Sequence, residues 1–111
     1  MVKGEFWTRQ KNQCTGGKIA VKVQGNIDRK RGIGYYKQTF DIWGDEWYAI
    51  DLKSGISAAS ASYFKTVQQQ LDETWDKVVE FRARDDYAKL CAAFADDIAE
   101  AEKERNEFDV K

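Results

Sequence analysis

The sequence contains no histidine and no proline, and it has only two cysteines, Cys14 and Cys91. Without histidine, Ser-His-Asp triads, imidazole metal sites and imidazole acid–base catalysis are excluded. Two cysteines cannot build a disulfide framework. Because proline is absent, no position of the chain is forced to kink or end a helix. These absences remove most enzyme classes, and we expect a non-catalytic protein that needs no metal and no cofactor.

Long apolar segments are also missing. No run approaches the roughly 20 apolar residues that a bilayer-spanning helix needs. The first residues, Met1-Val2-Lys3-Gly4-Glu5, lack the apolar segment of a signal peptide. We therefore expect a cytoplasmic protein with no membrane contact. The chain has 111 residues, of which 42% are hydrophobic, and this predicts one domain over residues 1–111 with a packed core.

Residues 1–55 have the alternation typical of β-strands. Between residues 18 and 24, Ile19, Val21 and Val23 fall on one face. Short alternating segments recur at residues 33–43 and 47–52, and glycine-containing turns separate them. Closely spaced strands with short connections predict an antiparallel β-meander of three or four strands.

Residues 56–108 have helical spacing instead. A Ser/Ala stretch leads in, and Ser57, Ser60 or Ser62 is the expected N-cap of the first helix. Two apolar stripes follow, separated by a break at residues 82–85 with Asp85 or Asp86 as the next N-cap. They consist of Phe64, Val67, Leu71, Trp75 and Val78, then of Tyr87, Leu90, Cys91, Phe94, Ile98 and Ala101. The prediction is an α+β fold in which two C-terminal α-helices cover one face of the sheet.

The near-zero net charge of −1 hides a segregation of signs. Residues 1–70 carry 11 Lys and Arg against 6 Asp and Glu, whereas residues 71–111 carry 7 against 13. Such a distribution steers association with charged partners.

A predicted basic patch surrounds the turn at residues 29–31. Cations beside aromatic rings contact phosphates and stack on bases. An acidic protein surface is an alternative partner, and a merely solvated turn is the third interpretation. The patch consists of Arg29, Lys30, Arg31, Tyr35, Tyr36, Lys37 and Lys22. Since the chain has 15 aromatic residues, we also expect some of them to be exposed or at an interface, chiefly among Trp43, Trp47, Tyr35 and Tyr36.

A predicted acidic face lies on the second helix. One interpretation is that its carboxylates mimic phosphates toward a nucleic-acid-binding enzyme, and a solvated helix face is the alternative. The face consists of Asp96, Asp97, Glu100, Glu104 and Glu107.

The stretch Glu46-Trp47-Tyr48-Ala49-Ile50-Asp51-Leu52-Lys53-Ser54-Gly55-Ile56-Ser57 resembles a pattern in small phage or prophage accessory proteins. These have a strand, an Asp-x-Lys-Ser/Thr-Gly turn and a helix that ends in Trp, here with Leu71 and Trp75. The resemblance implies a stoichiometric inhibitor of a bacterial nucleic-acid-handling enzyme or complex, of the anti-CRISPR or another anti-defence type. Its partner would be a bacterial protein or ribonucleoprotein in the host cytoplasm. A DNA- or RNA-binding module that uses the basic hairpin is the alternative function.

Overall fold

The computed structural model describes residues 2–11, 18–40, 44–61 and 66–109, and it describes the side chains of residues 2–10, 19–39, 44–61 and 66–103. The α+β class is confirmed: an antiparallel sheet comes first and helices follow. Within the described part of the chain, no helix is long and apolar enough to cross a membrane.

The sheet has five strands rather than the predicted three or four. They are β1 (Val2–Lys11), β2 (Lys18–Asp28), β3 (Ile33–Phe40), β4 (Gly44–Asp51) and β5 (Ser57–Ala61), and they lie in chain order. The prediction missed β5 because serine and alanine have weak strand propensity and resemble a helix start. Pairing with β4 decides the conformation, since Ala59 lies opposite Ala49 and packs on the core.

Three helices replace the predicted two: α1 (Val67–Glu73), α2 (Trp75–Arg82) and α3 (Tyr87–Asp109). The predicted first helix is split at Thr74, whose hydroxyl donates to the Gln70 carbonyl at 2.8 Å. Its N-cap is Thr66, which forms a capping box with Gln69, and not Ser57 or Ser60. Ser62 lies outside the described residues.

The break before α3 is confirmed, because α2 ends at Arg82 and α3 begins at Tyr87. Asp86, one of the two expected N-caps, precedes α3 directly. Its carboxylate accepts two hydrogen bonds from the Arg84 guanidinium, at 2.9 and 2.7 Å. The Asp86 backbone carbonyl accepts the Leu90 N–H at 3.0 Å and so begins the helix.

Both faces of the central strands are buried. On one face, Ile33, Tyr35 and Ala49 pack against apolar side chains of α1 and α2, namely Val67, Leu71 and Val78. On the other face, Tyr36 and Ile50 form a second cluster with Phe6 of β1. Neighbouring residues of one strand point to opposite faces, so a central strand contributes to both clusters.

The sheet coils, and this coiling brings β1 close to the turn after β4. The Phe6 ring lies against the backbone of Gly25 and Gly34, where no side chain stands in the way. The Arg9 N–H donates to the Gly55 carbonyl at 3.1 Å, although β2 and β3 separate β1 from β4 in the sheet. Gly55 has a φ of +69° and contacts the buried Phe94 ring of α3. The turn is therefore held between β1 and α3.

Candidate functional site

A pocket of about 420 Å³ opens where the β2–β3 turn, the turn after β4 and the α2–α3 break meet. Five of its eight lining residues are cationic and one is acidic. They are Arg29, Lys30, Arg31, Gly32, Asp51, Lys53, Arg82 and Tyr87. We call this site the basic pocket. Such a concentration of one charge in a concave surface focuses the potential that attracts anions.

Asp51 holds the base of the pocket together. Its side chain is only 2% exposed, and it accepts hydrogen bonds from the Ser54 and Tyr87 hydroxyls, each at 2.7 Å. Arg82 Nη2 lies 3.1 Å from the other carboxylate oxygen. Burial first, and then the Asp51 carboxylate, raise the pKa of Tyr87 well above its usual value, so that this hydroxyl stays a donor. One carboxylate thus links β4, its turn, α2 and α3.

Arg82 is fixed on several sides. Its Nη2 also donates to the Arg31 carbonyl at 2.7 Å. The guanidinium carbons of Arg82 and Arg31 lie 5.5 and 5.4 Å from the centre of the Trp75 ring. Arg82 therefore contributes a positioned guanidinium whose charge is balanced by Asp51, in contrast to the mobile and uncompensated charge of a free surface lysine.

Arg31 is largely neutralised by carboxylates. Its Nη2 lies 2.6 Å from Asp72, and its Nε lies 3.8 Å from Asp28. The hydrogen bond to Asp72 is the main reason why the pKa of Arg31 is raised. We infer that Arg31 shapes the pocket through its backbone carbonyl and its contact with Trp75 more than through free charge.

Arg29, Lys30 and Lys53 are exposed, and within the described part of the chain they form no ion pair and no hydrogen bond. They come from two different turns and line the same pocket. Because no carboxylate compensates their charges, these three groups would interact most favourably with an anionic ligand.

The predicted basic patch is only partly assembled. Arg29, Lys30 and Arg31 line the pocket. Lys22 instead lies 3.6 Å from Glu5 and over the Trp7 ring, and Lys37 lies 3.6 Å from Asp45.

The expected exposure is wrong for two tyrosines, since Tyr35 is 1% and Tyr36 is 7% exposed. Tyr35 is buried under α1 and α2, and coiling of the sheet buries Tyr36 on the second face, which the prediction had left uncovered. The expectation holds for Trp47, which is 39% exposed. Trp43 lies outside the described residues.

Sequence reasoning missed Asp51, Lys53, Arg82 and Tyr87 as members of one site. Asp51, Lys53 and Ser54 stand in the Asp-x-Lys-Ser-Gly turn, which was a usable local signal. Arg82 and Tyr87 flank the predicted helix break, but nothing in their spacing shows that they meet Asp51, which lies 31 and 36 positions earlier.

The predicted acidic face is partly neutralised. Asp97 lies 3.4 Å from Arg9 Nη2, whose guanidinium stacks on Phe94. Asp96 and Glu100 are exposed and form no ion pair within the described residues. Glu104 and Glu107 lie outside the described side chains.

Comparisons of the chain with protein-family models, curated proteins and solved structures found no match. Among the side chains that the structure describes, no three His, Cys, Asp or Glu residues are grouped so that they could hold a metal ion.

Proposed function

We propose that this chain is a non-catalytic nucleic-acid-binding protein whose basic pocket contacts phosphate groups. The observation that supports the proposal is the convergence of three unpaired cations, Arg29, Lys30 and Lys53, on one pocket based on Arg82. Phosphate oxygens accept charge-assisted hydrogen bonds from such groups. Binding also releases counterions from the nucleic acid, which drives association at low salt.

Burial of the neighbouring tyrosines limits the ability of the basic pocket to recognise bases. Because Tyr35 and Tyr36 are occupied in the two cores, they offer no exposed ring on which a base stacks. Contacts to phosphate position a ligand without reading its sequence. We therefore expect affinity with little sequence preference.

Replacing the three unpaired cations tests the proposal. We expect the Arg29→Gln/Lys30→Gln/Lys53→Gln variant to bind DNA at least about tenfold more weakly than the unmodified protein, because these cations supply the charge-assisted contacts to phosphate. The slope of log Kd against log salt should fall by about 0.7–0.9 for each phosphate that the variant no longer neutralises. Fluorescence anisotropy with single- and double-stranded DNA at several salt concentrations measures both quantities.

The matched control removes the same charge elsewhere. Lys3, Lys77 and Lys103 are exposed and form no ion pair within the described residues, so Lys3→Gln/Lys77→Gln/Lys103→Gln should change the affinity less than about threefold. Equal losses of DNA affinity in both variants would show that net charge, and not the basic pocket, causes the effect. Absence of DNA and RNA binding at low salt would contradict the proposal.

A second candidate function is stoichiometric inhibition of a bacterial nucleic-acid-handling enzyme or complex, of the anti-CRISPR or another anti-defence type. It would place the protein in the cytoplasm of a bacterial host, as a product of a phage or mobile element. The observation in its favour is the pair Asp96 and Glu100, which are exposed, unpaired within the described residues and one turn apart on α3. Such carboxylates resemble a row of phosphates to a basic partner.

Charge reversal on α3 tests this second function. The immobilised protein should retain one bacterial protein or ribonucleoprotein from a lysate, and Asp96→Lys/Glu100→Lys should reduce the retained amount at least about tenfold. Asp76→Lys/Glu80→Lys makes the same charge change on exposed positions of α2 and should leave retention intact. Equal retention by both variants would exclude the α3 surface.

A further inference from the structure

We infer that the basic pocket takes a terminal phosphate monoester, the phosphorylated end of a nucleic-acid strand, rather than a stretch of continuous backbone. The inference rests on the proposed nucleic-acid function and deepens it. Three observations support it: the size of the pocket, the location of the patch's unpaired cations in the pocket, and the charge of a phosphate monoester.

The pocket has the size of a small-ligand site. Its volume of about 420 Å³ is large enough to hold one small molecule. The lining residues come from the β2–β3 turn, from the end of β4 and the turn after it, and from the two helix ends at the α2–α3 break. They therefore converge on one place and do not lie along a line. A continuous strand would instead need cations arranged along a path.

Of the cations in the predicted basic patch, the two that are unpaired within the described residues, Arg29 and Lys30, both line the pocket. Two further cations of the predicted patch, Lys22 and Lys37, are paired with Glu5 and Asp45. Asp72, which binds Arg31, is more than half exposed beside the pocket. A strand that continued past Arg31 would meet this neutral ion pair instead of a free cation, so its next phosphate would gain no attraction there.

A terminal phosphate also matches the number of cations better than an internal one does. A monoester carries about −1.5 to −2 at pH 7, whereas each internal diester carries a single negative charge. Arg29, Lys30 and Lys53 are unpaired, and Arg82 forms its described hydrogen bonds through Nη2 alone. Its Nη1 group therefore keeps its donors, and Asp51 is a positioning residue that holds this guanidinium at the pocket.

The test compares one short single-stranded oligonucleotide with a 5′-phosphate, with a 3′-phosphate and with hydroxyls at both ends. We expect one phosphorylated form to bind at least about tenfold more tightly than the hydroxyl form, since the extra charge-assisted hydrogen bonds form only there. A nucleoside monophosphate should compete for the site, and the corresponding nucleoside should not. The preferred end identifies which terminus the pocket accepts.

The variants separate the two proposals. In Arg29→Gln/Lys30→Gln/Lys53→Gln the preference for the phosphorylated end should disappear, and in Lys3→Gln/Lys77→Gln/Lys103→Gln it should remain. Equal binding of all three oligonucleotides, with affinity still reduced in the pocket variant, would overturn the end-specific inference and leave the nucleic-acid function standing. A preference that survives in the pocket variant would also overturn it. Absence of binding to every oligonucleotide at low salt would remove both.

Discussion

Replacing Gly25 with alanine is expected to lower the free energy of unfolding by about 3 kcal/mol or more, because overpacking against backbone cannot be relieved by a rotamer change. A Cβ at this position would overlap the carbonyl oxygen of Tyr35 in the neighbouring strand and press on the Phe6 ring. The β2–β3 pairing spans only three residue pairs and includes Tyr35, so a shift there would open the sheet at its narrowest junction. Urea denaturation followed by tryptophan fluorescence measures the change.

Gly4 provides the matched control, since it lies directly opposite Gly25 in the β1–β2 pairing. A Cβ at Gly4 would meet only the Cδ1 atom of Ile27, at 3.2 Å, and the end of that side chain is able to move. We expect Gly4→Ala to change the free energy of unfolding by less than about 1 kcal/mol, in either direction. Equal losses for the two substitutions would show that the close approach of Gly25 in β2 to the Tyr35 carbonyl in β3 is wrong.

Asp51→Ala should also destabilise the protein strongly, by about 3 kcal/mol, because removing one partner of a buried ion pair costs far more than the net contribution of the pair itself. The substitution leaves the Arg82 guanidinium without its carboxylate and deprives the Ser54 and Tyr87 hydroxyls of their common acceptor. Urea denaturation measures this change as well. The same variant should weaken ligand binding even at a temperature where it is fully folded, because Arg82 is then no longer positioned.

Asp45→Ala is the control for Asp51→Ala, since it removes a carboxylate from the same strand. Asp45 accepts a hydrogen bond from Thr39 at 2.8 Å and lies 3.6 Å from Lys37, but both contacts are exposed to solvent. Exposed pairs of this kind contribute about 0–1 kcal/mol. A loss for Asp51→Ala as small as that for Asp45→Ala would show that Asp51 does not hold the pocket together.

The class of fold was predictable because the periodicity of hydrophobic residues indicates which face of a strand or helix is buried. Val21 and Val23 alternate with exposed neighbours as in a half-buried strand, although Ile19 at the start of β2 is 40% exposed. The spacing of Val67, Leu71 and Val78 predicts one apolar face, and all three pack in the same cluster although the helix is split at Thr74. The fifth strand was not predictable, because Ser57–Ala61 has no such signal and becomes a strand only through its pairing with β4. Burial of Tyr36 depended equally on tertiary structure, since the coiling of the sheet brings Phe6 over it.

Only the part of the candidate site whose residues are adjacent in the sequence was predictable. Arg29, Lys30 and Arg31 are adjacent in the chain and occupy one turn, so their shared location followed directly from the sequence. Whether a cation is free depends on its neighbours in space, and carboxylates from other elements neutralise Arg31, Lys22 and Lys37. To predict that Arg82 belongs to the site, one would have to know that α2 ends against the β2–β3 turn.

The groups that complete the pocket come late in the chain. Asp51 is bound by Arg82 and Tyr87, which lie 31 and 36 positions further on. During synthesis the whole sheet leaves the ribosome before these partners do, and contacts between distant positions close more slowly than pairing of neighbouring strands. A nascent chain that has emerged only as far as β5 displays Arg29 and Lys30 without the guanidinium that the pocket is built on. The pocket is therefore complete only once α2 and the first residue of α3 have been synthesised.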